Sequence, residues 1–226
     1  MKLLLFDIDG TLMLSGGAGL RAMNKAFAQL YGINNVLDGL SLSGRTDNKI
    51  MMDAYKRADM DFSYEELRRF KSVYFDAIKE EIQLDGPAKR LMPGIETLLP
   101  ALSERKDVHM GLLTGNWEQS GRTKIDFFGL NDYFPFGAFS DDSSERNELV
   151  PVALQRFRER IHVDIDPRDV YVIGDTPADI QCAKPHGVVS VAVAAASHSI
   201  DVLQPFEPDV LLNDLSDTEA VLHLLG

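Results

Sequence analysis

The sequence predicts an α/β fold: a doubly wound, Rossmann-like parallel sheet with an all-helical module inserted after its first strand. Three observations predict it. Short apolar runs alternate with helical patterns along most of the chain. Those runs are unbroken, as in parallel strands covered on both faces, and do not alternate with polar residues. One interval, from about 14 to 90, departs from the alternation and holds only amphipathic helical patterns.

Taken in order, KLLLF at 2–6 is the first buried strand. In the interval that follows, Leu20, Met23, Phe27 and Leu30 make one apolar helix face, and Ile50, Met51, Ala54 and Tyr55 make a second. SYEE at 63–66 is a capping-box pattern opening a third helix, with Leu67, Phe70, Val73, Tyr74 and Ile78 inward. DGPAKRLMPG at 85–94 reads as a turn-rich return. A helix over Ile95–Arg105 contains Pro100, which predicts a kink or a restart. VHMGLL at 108–113 is the next strand, and Trp117–Phe128 a helix closed by Gly129. FGAF at 136–139, helix Leu149–Arg160, VYVI at 170–173, helix Ala178–His186, VVSVAV at 188–193, DVLL at 209–212 and helix Thr218–Leu224 complete the order. The expected division is a core of 1–13 with 91–226 and a helical cap of 14–90 overhanging the carboxyl end of the sheet, with hinges near Met13–Gly17 and Arg90–Gly94.

Composition narrows the classes of function. The net charge of −12 opposes a general nucleic-acid or anionic-membrane binder. It leaves room for a phosphorylated small molecule where local cations or a metal reverse the field. No apolar run is long enough for a membrane span, and the N-terminal run is too short for a signal peptide. The single cysteine, Cys182, excludes an intrachain disulfide and fits a reducing cytoplasm, the expected location. Oligomeric state has no signature here.

The chemistry lies at the predicted strand ends, where open α/β sheets bind ligands. The first strand delivers Asp7, Asp9 and Thr11; the second delivers Thr114, Gly115 and Asn116; GDTPAD delivers Asp175 and Asp179. Carboxylates so crowded repel one another unless a divalent cation shares them. An all-oxygen donor set without His or Cys favours Mg²⁺.

These motifs resemble those of the haloacid-dehalogenase-like (HAD) phosphohydrolases: DIDGTL their first, LLTGN their second and IGDTPADI their fourth, with the inserted helices similar to the cap of the phosphoglycolate-phosphatase-like branch. The resemblance covers essentially the whole chain. It implies Asp7 as nucleophile forming an aspartyl-phosphate, and Asp9 as general acid and then base, which needs a proton on Asp9 as substrate arrives. It implies Mg²⁺ held by the carboxylates of Asp7 and Asp175 and the main-chain carbonyl of Asp9, with Asp179 nearby or acting through water. Thr114 and the backbone around Gly115 and Asn116 would hold the phosphoryl oxygens, and Thr11 joins this expected substrate-binding set.

The chain departs from the family at the third motif. The usual lysine followed by proline is missing, and no lysine occurs in 141–154. Arg146 is the nearest cation in register and the expected partner of phosphate and Asp7. Lys124 is expected on the solvated face of its helix, and Lys184 at a helix end. In the cap, LSGRTDN at 42–48 places Arg45 in a turn before a helix that Asp47 would cap, with Arg45 expected to touch substrate or else to lie in a surface turn. Trp117 is expected to pack at its helix start, and Cys182 in the core. The expected function is a Mg²⁺-dependent phosphatase of a small phosphorylated metabolite such as phosphoglycolate or a sugar phosphate. The alternatives are a sugar phosphomutase and a non-catalytic regulatory binder with the same fold.

Overall fold

The structure is a computed structural model describing residues 1–86 and 88–226. In chain order it comprises β1 (Lys2–Phe6), β2 (Met13–Leu14), α1 (Ala18–Tyr31), α2 (Asp47–Arg57), α3 (Tyr64–Glu81), β3 (Arg90–Leu91), α4 (Ile95–Ser103), β4 (Val108–Leu113) and α5 (Glu118–Asp126). The remainder is β5 (Gly137–Ala138), α6 (Leu149–Ile161), β6 (Val170–Gly174), α7 (Pro177–Ala183), β7 (Val189–Val193), α8 (Ile200–Leu203), β8 (Val210–Leu212) and α9 (Thr218–Leu224).

Six strands form one parallel sheet in the order β5-β4-β1-β6-β7-β8. Leu3, Leu4, Leu5 and Phe6 of the central β1 are fully buried, which is why that run carries no polar alternation. Successive side chains serve opposite faces. Leu4 and Phe6 join Met110, Leu112 and Ile173 in a cluster with Leu98, Leu99, Ile125 and Val221 of the helices on one side. Leu3 and Leu5 join Leu113, Val172, Val150, Phe157 and Cys182 on the other. Because β1 lies between β4 and β6, the chain leaves it toward both sides, and a crevice opens at its carboxyl end.

The inserted helices have their own apolar cluster. Met23, Phe27, Ile50, Met51, Tyr55, Phe70, Tyr74 and Ile78 pack together, and Trp117 from the loop after β4 completes it. Trp117 is fully buried, as its expected packing role requires.

Several local expectations are corrected. Strands do occur beside the helical insert: Met13–Leu14 pairs antiparallel with Arg90–Leu91, a ribbon two residues long in each strand and too short for a periodic signal. At 63–66 only half of the capping box forms. Ser63 Oγ accepts from the Glu66 N–H at 3.2 Å, while the Glu66 carboxylate takes the Tyr31 hydroxyl at 3.0 Å. α4 runs through Pro100 without a restart, the proline omitting only the N–H that would have bonded the Glu96 carbonyl in the preceding turn. α7 stops at Ala183 and passes into a 3₁₀ turn over Lys184–His186, where Pro185 interrupts the α pattern. The turn-rich 85–94 segment includes Pro87, which lies outside the described residues.

Candidate active site

Asp7 leaves the end of β1 with its backbone N–H bonded to the Ile173 carbonyl, so the sheet register fixes where its carboxylate begins. Asp175 follows β6, and Asp179 lies in the first turn of α7. One carboxylate oxygen from each of these buried residues lies within 4.8 Å of the other two. Burial pushes the Asp7 carboxyl up to about 6, with the Arg146 guanidinium opposing and the Asp179 charge adding to the rise. Burial, then the Asp7 and Asp179 charges, push Asp175 up to about 7. Asp175 Oδ2 accepts from the Ser197 N–H at 3.1 Å, but its Oδ1 is buried with no hydrogen-bond partner. Gly10, at φ +89°, allows this crowding, since a Cβ there would run into the Asp175 carboxylate.

This donor set fits a small hard cation: three carboxylates converge and one buried oxygen lacks a partner. Asp179 is also structurally committed. Its Oδ2 accepts from Thr176 N and Oγ1 at 3.0 and 2.7 Å, completing a capping box, and its Oδ1 bonds Arg146. The Asp9 carboxylate is not one of the three converging groups, and only its main-chain carbonyl was expected to reach a metal.

Arg146 lies in a 3₁₀ turn before α6 and is buried. Its Nη2 is 3.3 Å from Asp7 Oδ1 and bonded to Asp179 Oδ1, so the residue read as the stand-in for a third-motif lysine does meet the nucleophile candidate. Thr114 is fully buried, and its Oγ1 receives the Asn116 Nδ2 at 2.9 Å. Gly115 must be glycine, since a Cβ would enter the carbonyl of Arg45. Asn116 Nδ2 also reaches Asp9 Oδ2 at 2.9 Å. A cavity of about 340 Å³ opens over Asp7, Asp9, Thr114, Gly115, Asn116 and Arg146. Thr11 is buried, its hydroxyl is unpartnered, and it does not line this cavity.

One cation departs from expectation. Lys124 is not on a solvated face: its side chain is 7% exposed, and Nζ lies 2.6 Å from both Asp9 Oδ2 and Asn116 Oδ1. α5 turns Ser120, Gly121, Lys124 and Ile125 inward, and Gly121 lets this face approach the site closely, since a Cβ there would run into Ile8 and the Asn116 side chain. That small–small–Lys–Ile stripe was the available signal. Arg45 lines the cavity, but its guanidinium folds back on its own segment, bonding Asp53 Oδ2 at 2.7 Å and the carbonyls of Ser41 and Lys49.

Asp47 does not cap α2; Thr46 does, accepting from the Lys49 N–H. The Asp47 carboxylate instead accepts from the Trp117 N–H at 2.8 Å, while its own N–H donates to the Gly115 carbonyl at 2.7 Å. Asn48 bonds Ser140 and Trp117, and Thr46 Oγ1 donates to the Ser144 carbonyl. The start of α2 is thus clamped to the loops after β4 and β5.

The family model for haloacid dehalogenase-like hydrolases matches residues 4–193. The chain is 25% identical over 228 residues to the pyrophosphatase PpaX of Bacillus mycoides, covering 98% of this chain and 97% of that one. It is 26% identical over 239 residues to a phosphoglycolate phosphatase of Shigella boydii, covering 97% and 91%. The solved structure of CbbY from Rhodobacter sphaeroides in complex with phosphate superposes with a TM-score of 0.72 at 18% identity, covering 96% of each chain. With Asp7 at the end of the strand at the sheet centre and an acidic cluster around it, the chain is an enzyme of the haloacid dehalogenase-like hydrolases.

Proposed function

We propose that the protein is a Mg²⁺-dependent phosphatase that hydrolyses a small organic phosphomonoester, of phosphoglycolate or sugar-phosphate type, through an aspartyl-phosphate on Asp7. The single observation that carries this reading is the convergence of Asp7, Asp175 and Asp179 around the unpartnered Asp175 Oδ1, with Arg146 against Asp7. Bound Mg²⁺ would supply charge neutralisation as one anion attacks another.

The chain's own residues do the rest. Asp7 supplies the attacking oxygen; a bond forms to phosphorus as the ester P–O bond breaks. Arg146 and the hydroxyl of Thr114, with backbone N–H groups around Gly115, hold the non-bridging oxygens where charge accumulates. Asp9 gives its proton to the departing alkoxide and then removes one from the water that attacks the aspartyl-phosphate, releasing phosphate and regenerating Asp7. Lys124 and Asn116 fix where the Asp9 carboxyl points. Leu20, Met23, Leu42 and Ile50 of the helical insert line the same cavity, which supports reading 14–90 as a substrate-selecting cap.

A panel of phosphate esters assayed with and without Mg²⁺, on the parent and on Asp7→Asn, tests the reading. Turnover that requires Mg²⁺ and vanishes in Asp7→Asn is expected. Metal-independent turnover, or an active Asp7→Asn, contradicts it.

A further inference from the structure

Trp117 is the only tryptophan of the chain, and it joins the core to the insert. Its backbone belongs to the core, directly after the Thr114–Asn116 stretch that lines the cavity. Its ring is fully buried in the apolar cluster of the insert, against Phe70, Tyr74 and Phe75 of α3, with Lys71 Nζ 4.9 Å from the ring centre. Asn48 Oδ1 accepts from the indole N–H at 2.7 Å. Swinging the insert off the core would draw this ring out of its cluster, which disfavours an open form by about 10²- to 10³-fold before any polar contact is counted.

Polar contacts across the seam add to that. Asp47 bonds the Trp117 N–H and the Gly115 carbonyl, Asn48 bonds Ser140 through backbone and side chain, and Lys49 and Lys71 pair with Glu145 and Asp141. The chain crossings are tied as well. Met13–Leu14 and Arg90–Leu91, where hinges are expected, pair as a ribbon, and the Met92 N–H donates to the Leu12 carbonyl at 3.0 Å. The site is nevertheless open to solvent with the insert in place. The Asp9 side chain is 40% exposed, and the exposed residues Gly17, Ser43 and Ser197 line the cavity and mark its mouth. Asp7 and Arg146 lie deeper and are buried.

We propose that Trp117 is a positioning residue that pins the insert to the phosphate-holding loop, so that the insert stays seated through turnover and substrate and products pass through the mouth between Gly17, Ser43 and Ser197. The insert then braces the Thr114–Asn116 stretch and is not a lifting lid. Esters small enough to pass a standing mouth are substrates; phosphorylated macromolecules are not. This rests on the phosphatase reading and adds how its site is reached and held.

Two measurements test it. Tryptophan emission and acrylamide quenching are recorded for the parent alone, with Mg²⁺ and inorganic phosphate, and with Mg²⁺ and saturating glycerol phosphate. Because the sole tryptophan reports the seam, a buried, weakly quenched signal is expected in all three. A red shift with increased quenching in any of them overturns the proposal. Mg²⁺-dependent phosphate release from glycerol phosphate and from p-nitrophenyl phosphate is then compared between the parent and Asn48→Ala. This variant loses the bonds to the indole N–H and the Ser140 carbonyl and keeps its backbone N–H on Ser140. Its kcat is expected to fall about 3- to 10-fold, the effect of one neutral hydrogen bond, with KM little changed. A lifting insert gives the opposite sign, since a loosened seam opens faster. An unchanged or raised kcat overturns the positioning role and leaves the phosphatase standing; release from neither ester by the parent overturns both.

Discussion

At the residue scale, Arg146 and Lys124 divide the work of two buried cations. Arg146 bridges Asp7 and Asp179 and is itself buried, so a neutral replacement leaves two buried acids without their partner. Arg146→Met is expected to lower kcat about 10²- to 10³-fold, the loss typical of one transition-state donor. Arg146→Lys should recover part of this, since lysine supplies the charge without the fork. Steady-state kinetics on folded protein, checked by circular dichroism, measure both. Lys124→Met is expected to lower kcat by at least about tenfold, since it leaves Asp9 oriented only by Asn116. A change in KM alone would show that Lys124 acts on substrate and not through Asp9. The aspartates were legible in the sequence because each follows an apolar run at a strand end. Lys124 was not, because the small–small–Lys–Ile stripe of α5 is a weak local sign, and the face it takes is set by packing against a cap distant in sequence.

At the element scale, the start of α2 governs the seam between insert and core. The Asp47 carboxyl is pushed up to about 7, chiefly by burial, with Lys124 and the Trp117 N–H opposing and Asp9 and Asp141 reinforcing. The folded protein therefore favours the protonated acid. An unfolded aspartate ionises near pH 4, so this contribution to stability is full below about pH 4 and is lost as pH rises through about 7. Asp47→Asn keeps an amide oxygen for the Trp117 N–H but cannot ionise. It is expected to gain stability relative to the parent, on the order of 4 kcal/mol, between those pH values, with no further gain above them. Urea unfolding of both proteins at pH 5 and pH 8 measures the difference. An equal gap at the two pH values would contradict the assignment. This seam escaped sequence reading for a physical reason: TDN reads locally as a helix cap, whereas its one carboxylate serves a loop 70 residues away.

At the scale of the whole molecule, the sheet was legible and its seams were not. Parallel strands buried on both faces leave unbroken apolar runs such as Leu3–Phe6, so their number and positions along the chain could be read directly, though not their order in the sheet. The ribbon of Met13–Leu14 with Arg90–Leu91 depends on two crossings of the chain meeting side by side, which no local pattern encodes. The acidic cluster has a consequence for the whole fold. Without metal it is a standing electrostatic cost, so Mg²⁺ at about 100 times its Kd should raise stability by about 2.7 kcal/mol. Asp175→Asn should abolish that gain while leaving the metal-free protein at least as stable as the parent, because it removes a buried charge. Thermal denaturation with and without Mg²⁺ reads both effects. The most direct test of the central claim is to mix the protein with Mg²⁺ and an ester it turns over, quench in acid within one turnover, and locate the transferred group by mass spectrometry. A single phosphoryl group on Asp7, absent when Mg²⁺ is omitted, is the predicted result; turnover with Asp7 unmodified and the phosphoryl group on another side chain would contradict it.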